Sequence, residues 1–402
     1  MAKIGVLTFF GTTDNYGQVL QYLATQEYLN SLGNSTSLIV PKGYERTFWR
    51  RVKWKIQNYY AKITNFLYKR KKTVSITCGV SKEEQAKLQV FKKWAEVSKR
   101  QELEHPRCFD KFRSNFFSIQ IGTYDELLAS GYDAFCIGSD QTWSAGGFEM
   151  MLGWVPKKYP RFSIAPSVGH RIYSHEEVLS FRKYLQAFDF ITVRESKGID
   201  LATECGRKDA VKVLDPTFLL SSKEYDKFAV TPPKNESYIL IYLLGGEIEK
   251  PVAEIEKYCK EKGYRVMYVE SQGRDEKCSK IFPTVEEWLG LVSHASYVIT
   301  NSFHGMAFSI IYHKPFLVFP LVGLMEGMNG RVVDLSNTFS LENRVYDGNM
   351  DVLFEPISWM QTDEVIAHNK DILTTLIKNI KPRIQQASAK LRNVFVKALL
   401  WC

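Results

Sequence analysis

The sequence contains no apolar run near the roughly eighteen residues that span a bilayer, so no transmembrane helix is expected. Met1 leads straight into an apolar strand pattern, Ile4 to Phe10, without a basic leader, long apolar core or cleavage site; a secretory signal peptide is therefore not expected. The 7 cysteines are scattered and form no CxxC pair, which speaks against a disulfide framework or zinc ribbon and for reduced thiols in a cytosolic protein. The dinucleotide fingerprint GxGxxG is missing, which argues against a nicotinamide or flavin cofactor. No carboxylate cluster calls for a metal, and no repeat of fixed period is present. Two stretches lack acid altogether. Residues 46–72 carry ten Lys or Arg, and residues 372–402 carry six. Together they supply +16 against a net charge of +9, so the rest of the chain sums to −7.

What is present reads as two successive strand–helix alternations. Ile4 to Phe10 is a buried strand, Gly11 to Gly17 a polar loop, and Leu20, Leu23, Tyr28 and Leu32 mark an amphipathic helix that Gly33 stops. Ser37 to Val40 closes a βαβ opening. Tyr132 to Ile137 is an apolar strand ending in Gly138-Ser139-Asp140-Gln141, and Phe190 to Val193 ends at Arg194, with Glu195 as its nearest structural partner. After Leu214-Asp215-Pro216-Thr217 the alternation restarts: strand Tyr238 to Leu244, helix Glu249 to Lys262, strand Arg265 to Val269, helix Thr284 to His294. Helices are expected at 363–379 and 383–401, the second with a stripe of Ile384, Ala387, Leu391, Val394, Ala398 and Leu399. The pattern predicts an α/β protein of two Rossmann-like domains facing a cleft: residues 1–218, residues 219–380, and a C-terminal amphipathic helix at 381–402.

Polar side chains at the carboxyl ends of strands are where open α/β sheets bind ligands. The richest such stretch is Tyr297 to Gly305: an apolar strand, then a helix opening at Asn301 or Ser302, both good N-caps. A helix N-terminus favours anions, and His304 in its first turn can exchange a proton near neutral pH. Arg194, a fixed planar cation at a strand tip, suits a carboxylate or phosphate. The insert at 46–72 reads as a basic amphipathic helix with interfacial aromatics, suited either to an anionic membrane surface or to packing on the body. Nucleic acid is not expected, because no readout motif accompanies the charge.

Five blocks, in order, resemble the polysaccharide pyruvyl transferase family: Asp14-Asn15-Tyr16-Gly17, Gly138-Ser139-Asp140-Gln141-x-Trp143, Val193-Arg194-Glu195, Leu214-Asp215-Pro216 and Thr300-Asn301-Ser302-Phe303-His304-Gly305. Thr142 and Ser144 stand where the family pattern has Val and Asn, a departure that bears on the acceptor sugar more than on the chemistry. The resemblance implies a GT-B-like fold and transfer of the pyruvyl group of phosphoenolpyruvate to a sugar as a ketal, with loss of phosphate. It implies His304 and Arg194 as catalytic residues, and Arg194, Asn301, Ser302, Phe303 and His304 as donor-binding residues. Asp14, Asn15, Tyr16, Asp140 and Gln141 fall to the acceptor. Phosphoenolpyruvate is then a co-substrate, with no cofactor or metal. The acceptor is expected to be a lipid-linked saccharide, met by a cytoplasmic enzyme lying peripherally on the inner face of the plasma membrane. The rival expectations are a GT-B-like glycosyltransferase using a nucleotide sugar, and a non-catalytic glycan-binding protein.

Overall fold

The computed structural model describes residues 1–42, 82–145, 147–169, 173–233, 236–245, 247–271, 274–276 and 278–399. The insert expected at 46–72 lies outside the described residues. Strand β1 (Lys3–Leu7) is followed by helix α1 (Tyr16–Ser31) and strand β2 (Ser35–Pro41). Helix α1 starts where the Asn15 side chain accepts from the Gln18 amide, and ends at Gly33, whose φ of 82° is one that glycine takes freely. Helices α2 (Lys82–Glu104) and α3 (Phe109–Phe116) then lead to strand β3 (Ile119–Gly122), helix α4 (Tyr124–Ala129) and strands β4 (Ala134–Ile137) and β5 (Arg161–Ser163). These five strands form one parallel sheet in the order β3-β2-β1-β4-β5. After helix α5 (His175–Leu185), the short parallel pair β6 (Thr192–Val193) and β7 (Val211–Lys212) flanks helix α6 (Ser196–Glu204) and continues the sheet through a bridge from Phe162 to Phe190.

The second half repeats the scheme. Strand β8 (Tyr238–Tyr242), helix α7 (Val252–Glu261), strand β9 (Arg265–Val269), helix α8 (Val285–His294), strand β10 (Tyr297–Thr300), helix α9 (Phe303–Ile311) and strand β11 (Phe316–Val318) give a parallel sheet ordered β11-β10-β8-β9. Strand order reverses between β1 and β4 in one sheet and between β8 and β10 in the other. Each reversal leaves a crevice at the strands' carboxyl ends. The two sets of carboxyl ends face one another, as the expected GT-B-like arrangement requires: His304, just past β10, lies against Gly17, just past β1.

One apolar core joins the halves. Tyr16, Tyr22 and Leu23 of α1 share it with Trp288 of α8 and with Met306 and Phe308 of α9. The rings of Tyr16 and Trp288 stack 5.0 Å apart at 7°, an arrangement worth about 0.5–1.5 kcal/mol beyond simple burial.

Several elements depart from expectation. Strand β5 stops early because Ala165 takes a φ of 51° ahead of Pro166, and β7 stops early because Asp215-Pro216 opens a 3-10 turn. Strand β3 was not expected: Ile119 and Ile121 are exposed on a sheet edge, so the apolar signal is weak. Helix α10 (Gly330–Phe339) was likewise not foreseen. The two helices expected at the C-terminus are one, α11 (Met360–Leu399), with Pro382 in its interior. Proline removes one helical hydrogen bond, but Leu373, Ile377, Ile380 and Ile384 keep a single buried stripe across it. Tertiary burial therefore overrides the local break. The helix straps the first half: Tyr28 and Thr374 share a hydroxyl hydrogen bond of 2.7 Å, Asn369 accepts from the Leu214 amide at 3.2 Å, and Arg383 pairs with Asp189. Among the described residues no helix is long and apolar enough to cross a membrane.

Candidate active site

The local chain explains why His304 sits where it does. Thr300 ends β10 with its hydroxyl on the Tyr242 carbonyl at 2.6 Å, and the same oxygen accepts from the Ser302 amide at 3.0 Å. Ser302 then caps α9 by accepting from the Gly305 amide at 3.3 Å. The amides of Phe303 and His304 open the helix without a hydrogen-bond partner among the described residues. Only glycine fits at position 17, since a β-carbon there would fall 1.9 Å from the His304 ring.

At the centre lies Asp215. Its Oδ2 accepts from Arg194 Nη1 at 2.7 Å and from Ser139 Oγ at 3.1 Å, and faces His304 Nε2 at 3.8 Å. Its Oδ1 accepts from the amide and hydroxyl of Thr217 at 3.0 and 2.9 Å. Burial alone would push the Asp215 carboxyl up, yet His304 and Arg194 hold it well below the usual carboxylate range. Arg194 is buried and is held charged by Asp215 and Glu195 against the cost of burial. Its guanidinium lies 4.6 Å over the Phe303 ring. Arg194 Nη2 and His304 Nε2 are both buried without a hydrogen-bond partner among the described residues. Orphaned buried donors of this kind call for an occupant.

Glu195, expected as the partner of Arg194, mainly holds backbone. Its Oε1 accepts from Ser167 Oγ, Val168 N and Gly169 N at 2.7, 2.7 and 3.0 Å, and only its second oxygen reaches Arg194, at 3.5 Å. Asp140 adopts a left-handed φ of 63°, uncommon for a non-glycine residue, and its Oδ2 accepts from Gln18 Nε2 at 3.0 Å. Gln141, with its amide oxygen inward, accepts from Arg331 at 3.3 and 3.2 Å. Beside Arg331 a cleft of about 250 Å³ opens, lined also by Gly169, Glu195, Gly330 and Asp334. A narrower recess with Arg194, Asp215 and Phe303 in its wall adjoins it.

Four side chains expected at the substrate are otherwise engaged. Tyr16 is fully buried and donates its hydroxyl to the Pro283 carbonyl at 2.7 Å, so no polar atom of it remains for an acceptor sugar. Asn301 clamps Leu244, accepting from its amide at 2.7 Å and donating to its carbonyl at 3.0 Å. It ties β10 to the end of β8 and leaves its amide committed. Asn15 caps α1. Asp14 accepts from Thr12 Oγ1 at 3.1 Å in the same loop. Asp215 and Ser139 belong to blocks recognisable in the sequence, but their role at the centre was not. Arg331 was missed. The available signal was Asn329-Gly330 ahead of an apolar-periodic run, a helix start with a cation in its first turn.

A second buried ion pair lies at the carboxyl end of β9, where Arg107 Nη2 donates to Glu270 Oε2. Glu270 Oε1 and two Arg107 nitrogens have no hydrogen-bond partner among the described residues. Burial pushes the Glu270 carboxyl up to about 7, and Arg107 only partly offsets it.

Residues 15–321 match the family model described as polysaccharide pyruvyl transferase. A comparison with curated proteins finds no match. Among solved structures, UDP-GlcNAc 2-epimerase from Neisseria meningitidis is 10% identical with a TM-score of 0.43, covering 99% of this chain and 100% of its own. The corresponding enzyme from Methanocaldococcus jannaschii is 11% identical with a TM-score of 0.41, covering 92% and 99%. That from Rickettsia bellii is 10% identical with a TM-score of 0.39, covering 100% and 98%.

Proposed function

The chain belongs to the polysaccharide pyruvyl transferase family, and on that premise we propose that it moves the pyruvyl group of phosphoenolpyruvate onto a saccharide as a ketal, releasing phosphate. The observation that carries this reading is the convergence of Arg194 from one half and His304 from the other on Asp215, each keeping a buried nitrogen without a partner among the described residues. The donor carries a carboxylate and a phosphate, so its site needs fixed cations and amide donors around a group that handles protons. Arg194 Nη2 and the opening amides of α9 suit the carboxylate.

The chemistry follows from the donor. Carbon 3 of the enol gains a proton, carbon 2 becomes oxocarbenium-like, and a sugar hydroxyl attacks it while losing its own proton. Phosphate leaves with the electron pair of its C–O bond, and a second hydroxyl closes the ketal and gives up its proton. His304 Nε2 is the group to deliver and collect protons, a role that typically contributes about 10²–10⁴-fold in rate. Asp215 orients the imidazole and stabilises its charged form. Asp140 and Gln141, at the crevice of the first sheet, take the acceptor.

The test incubates the protein with phosphoenolpyruvate and candidate glycans, following acceptor-dependent phosphate release and pyruvyl addition by mass spectrometry. His304→Ala should stay folded and lose roughly 10²-fold or more in turnover. Near wild-type turnover in that variant, or turnover of a nucleotide sugar in place of phosphoenolpyruvate, would sink the assignment. A lipid-linked acceptor and peripheral attachment at the inner face of the plasma membrane extend the proposal. The acid-free stretches at 46–72 and 372–402 support it, since anionic lipid attracts each basic residue by about 1 kcal/mol near the surface. Absence of sedimentation with anionic vesicles at low salt would remove that extension.

A further inference from the structure

Arg331 is a cation that forms no ion pair within 4 Å among the described residues, although Asp140, Glu195 and Asp215 act on it from farther off. It sits in the first turn of α10, which continues a 3-10 helix (Gly323–Asn329) whose last residue, Asn329, accepts from the Leu321 amide and donates to the Leu321 carbonyl, both at 2.8 Å. Among the described residues no carboxylate forms an ion pair with it. The neighbouring acids make their close contacts elsewhere: Asp215 to Arg194, Glu195 to the 167–169 backbone and Ser167, Asp140 to Gln18, and Asp334 to Lys212 and Ser196. Its one polar contact is the neutral Gln141 amide. The guanidinium nonetheless lines the recess that holds Arg194 and Phe303 as well as the cleft outside it. Burial, with Arg194 acting in the same direction, lowers the pKa of Arg331 to about 10, and Asp140, Glu195 and Asp215 offset this only in part. Two guanidinium groups therefore line one hollow, Arg194 paired with Asp215 and Arg331 in no ion pair among the described residues.

We propose that Arg331 is the second arm of the anion site, gripping the phosphate of the donor while Arg194 and the α9 amides hold its carboxylate. This rests on the donor assigned above, and it explains why both halves are needed. Arg194 is immobilised by a charged partner, Asp215, and keeps one nitrogen free, whereas Arg331 lines the open cleft and its fork is held only by the neutral Gln141 amide, which a phosphate can outcompete. A planar guanidinium grips a phosphate through paired N–H donors, which an ammonium cannot reproduce. As phosphate leaves, its growing negative charge falls on Arg331, which stabilises the departing group.

The test measures binding of phosphoenolpyruvate, inorganic phosphate and UDP-GlcNAc by calorimetry to the wild type, Arg331→Gln and Arg331→Lys, with circular dichroism to confirm folding. Arg331→Gln should weaken phosphoenolpyruvate and phosphate binding by roughly 10- to 100-fold, as loss of a charge-assisted hydrogen bond predicts. Arg331→Lys should recover only part, and serves as the measurement if the Gln variant does not fold. Unchanged phosphoenolpyruvate affinity in a folded Arg331→Gln protein overturns the inference and leaves the pyruvyl-transfer reading intact. Wild-type protein that binds none of the three probes overturns it too. Phosphate or UDP-GlcNAc binding that depends on Arg331, with no binding of phosphoenolpyruvate, upholds the anion arm and defeats pyruvyl transfer.

Discussion

Asp215 and Glu270 are both fully buried carboxylates facing an arginine at the junction of the two halves, yet their protonation is displaced in opposite directions. The difference is the number of donors. Asp215 receives Arg194, Ser139 and both donors of Thr217, with His304 close by. Glu270 receives Arg107 at one oxygen and has no hydrogen-bond partner for the other among the described residues. Desolvation is common to both, and a single ion pair does not outweigh it. A carboxylate becomes a dependable anion in a protein interior when its lone pairs are filled, which is what an orienting partner for His304 must be. An under-donated carboxylate such as Glu270 instead titrates near neutrality.

The sharpest way to break this contrast is Asp215→Asn. The change strips the charge that holds Arg194 most closely and faces His304, leaving the buried cation with Glu195 alone as an ion-pair partner among the described residues. The expected cost is about 3–5 kcal/mol of stability by denaturant unfolding, together with at least ~10² in phosphoenolpyruvate-dependent turnover. Because the folded Asp215 lies below the ordinary carboxylate range, its contribution is full above that range and is lost as pH falls through the folded value. Wild-type protein should therefore show an acid-side loss of stability that Asp215→Asn lacks.

Next in size is Glu270→Gln, with the opposite sign. A carboxyl raised from 4.5 to about 7 on folding binds its proton more tightly in the native state. Its stabilising contribution is complete below about 4.5 and disappears as pH rises through about 7, a swing of about 3 kcal/mol. Unfolding curves across that window should slope for the wild type and flatten for Glu270→Gln. Equal slopes would mean that Arg107 balances Glu270 as fully as Arg194 balances Asp215.

The smallest expected effect comes from Gly17→Ala, which leaves every charge in place. Its new β-carbon would lie 1.9 Å from His304 Cγ and 2.5 Å from His304 Cβ, so His304 or the start of α1 must shift and the imidazole loses its place beside Asp215. Turnover should fall by about 10-fold while the protein remains folded, a partial loss of the roughly 10²–10⁴-fold that acid–base groups contribute. Unchanged turnover would show that the position of the imidazole relative to Asp215 does not matter.

How much of this was visible beforehand depends on chain distance. The opening of α9 was legible, because Ser302 capping Gly305 is a contact across three residues. Strand β9 ran from Arg265 to Val269 as the pattern predicted. Pro382 misled, since a local rule breaks a helix that a remote core keeps whole. Tyr16 misled for the same reason: its loop is polar, but Trp288 and the Pro283 carbonyl come from the other half. Asn301 looked like a donor of hydrogen bonds to a ligand, and β8 had already claimed both ends of its amide.

By itself the sequence determined the two rounds of strand and helix, the caps that place His304 at a helix start, the division of charge, and the motif chemistry that marks the family. Periodicity, capping and turn residues act over a few positions, so they survive in the linear order. Only the tertiary structure decided which polar atoms are engaged and which are open. Asp215 became the centre because four segments bring polar groups to it, and Arg331 became exceptional because the acids near it pair with other groups among the described residues. A polar group's satisfaction is a property of its surroundings, and these come from strands and helices distant along the chain.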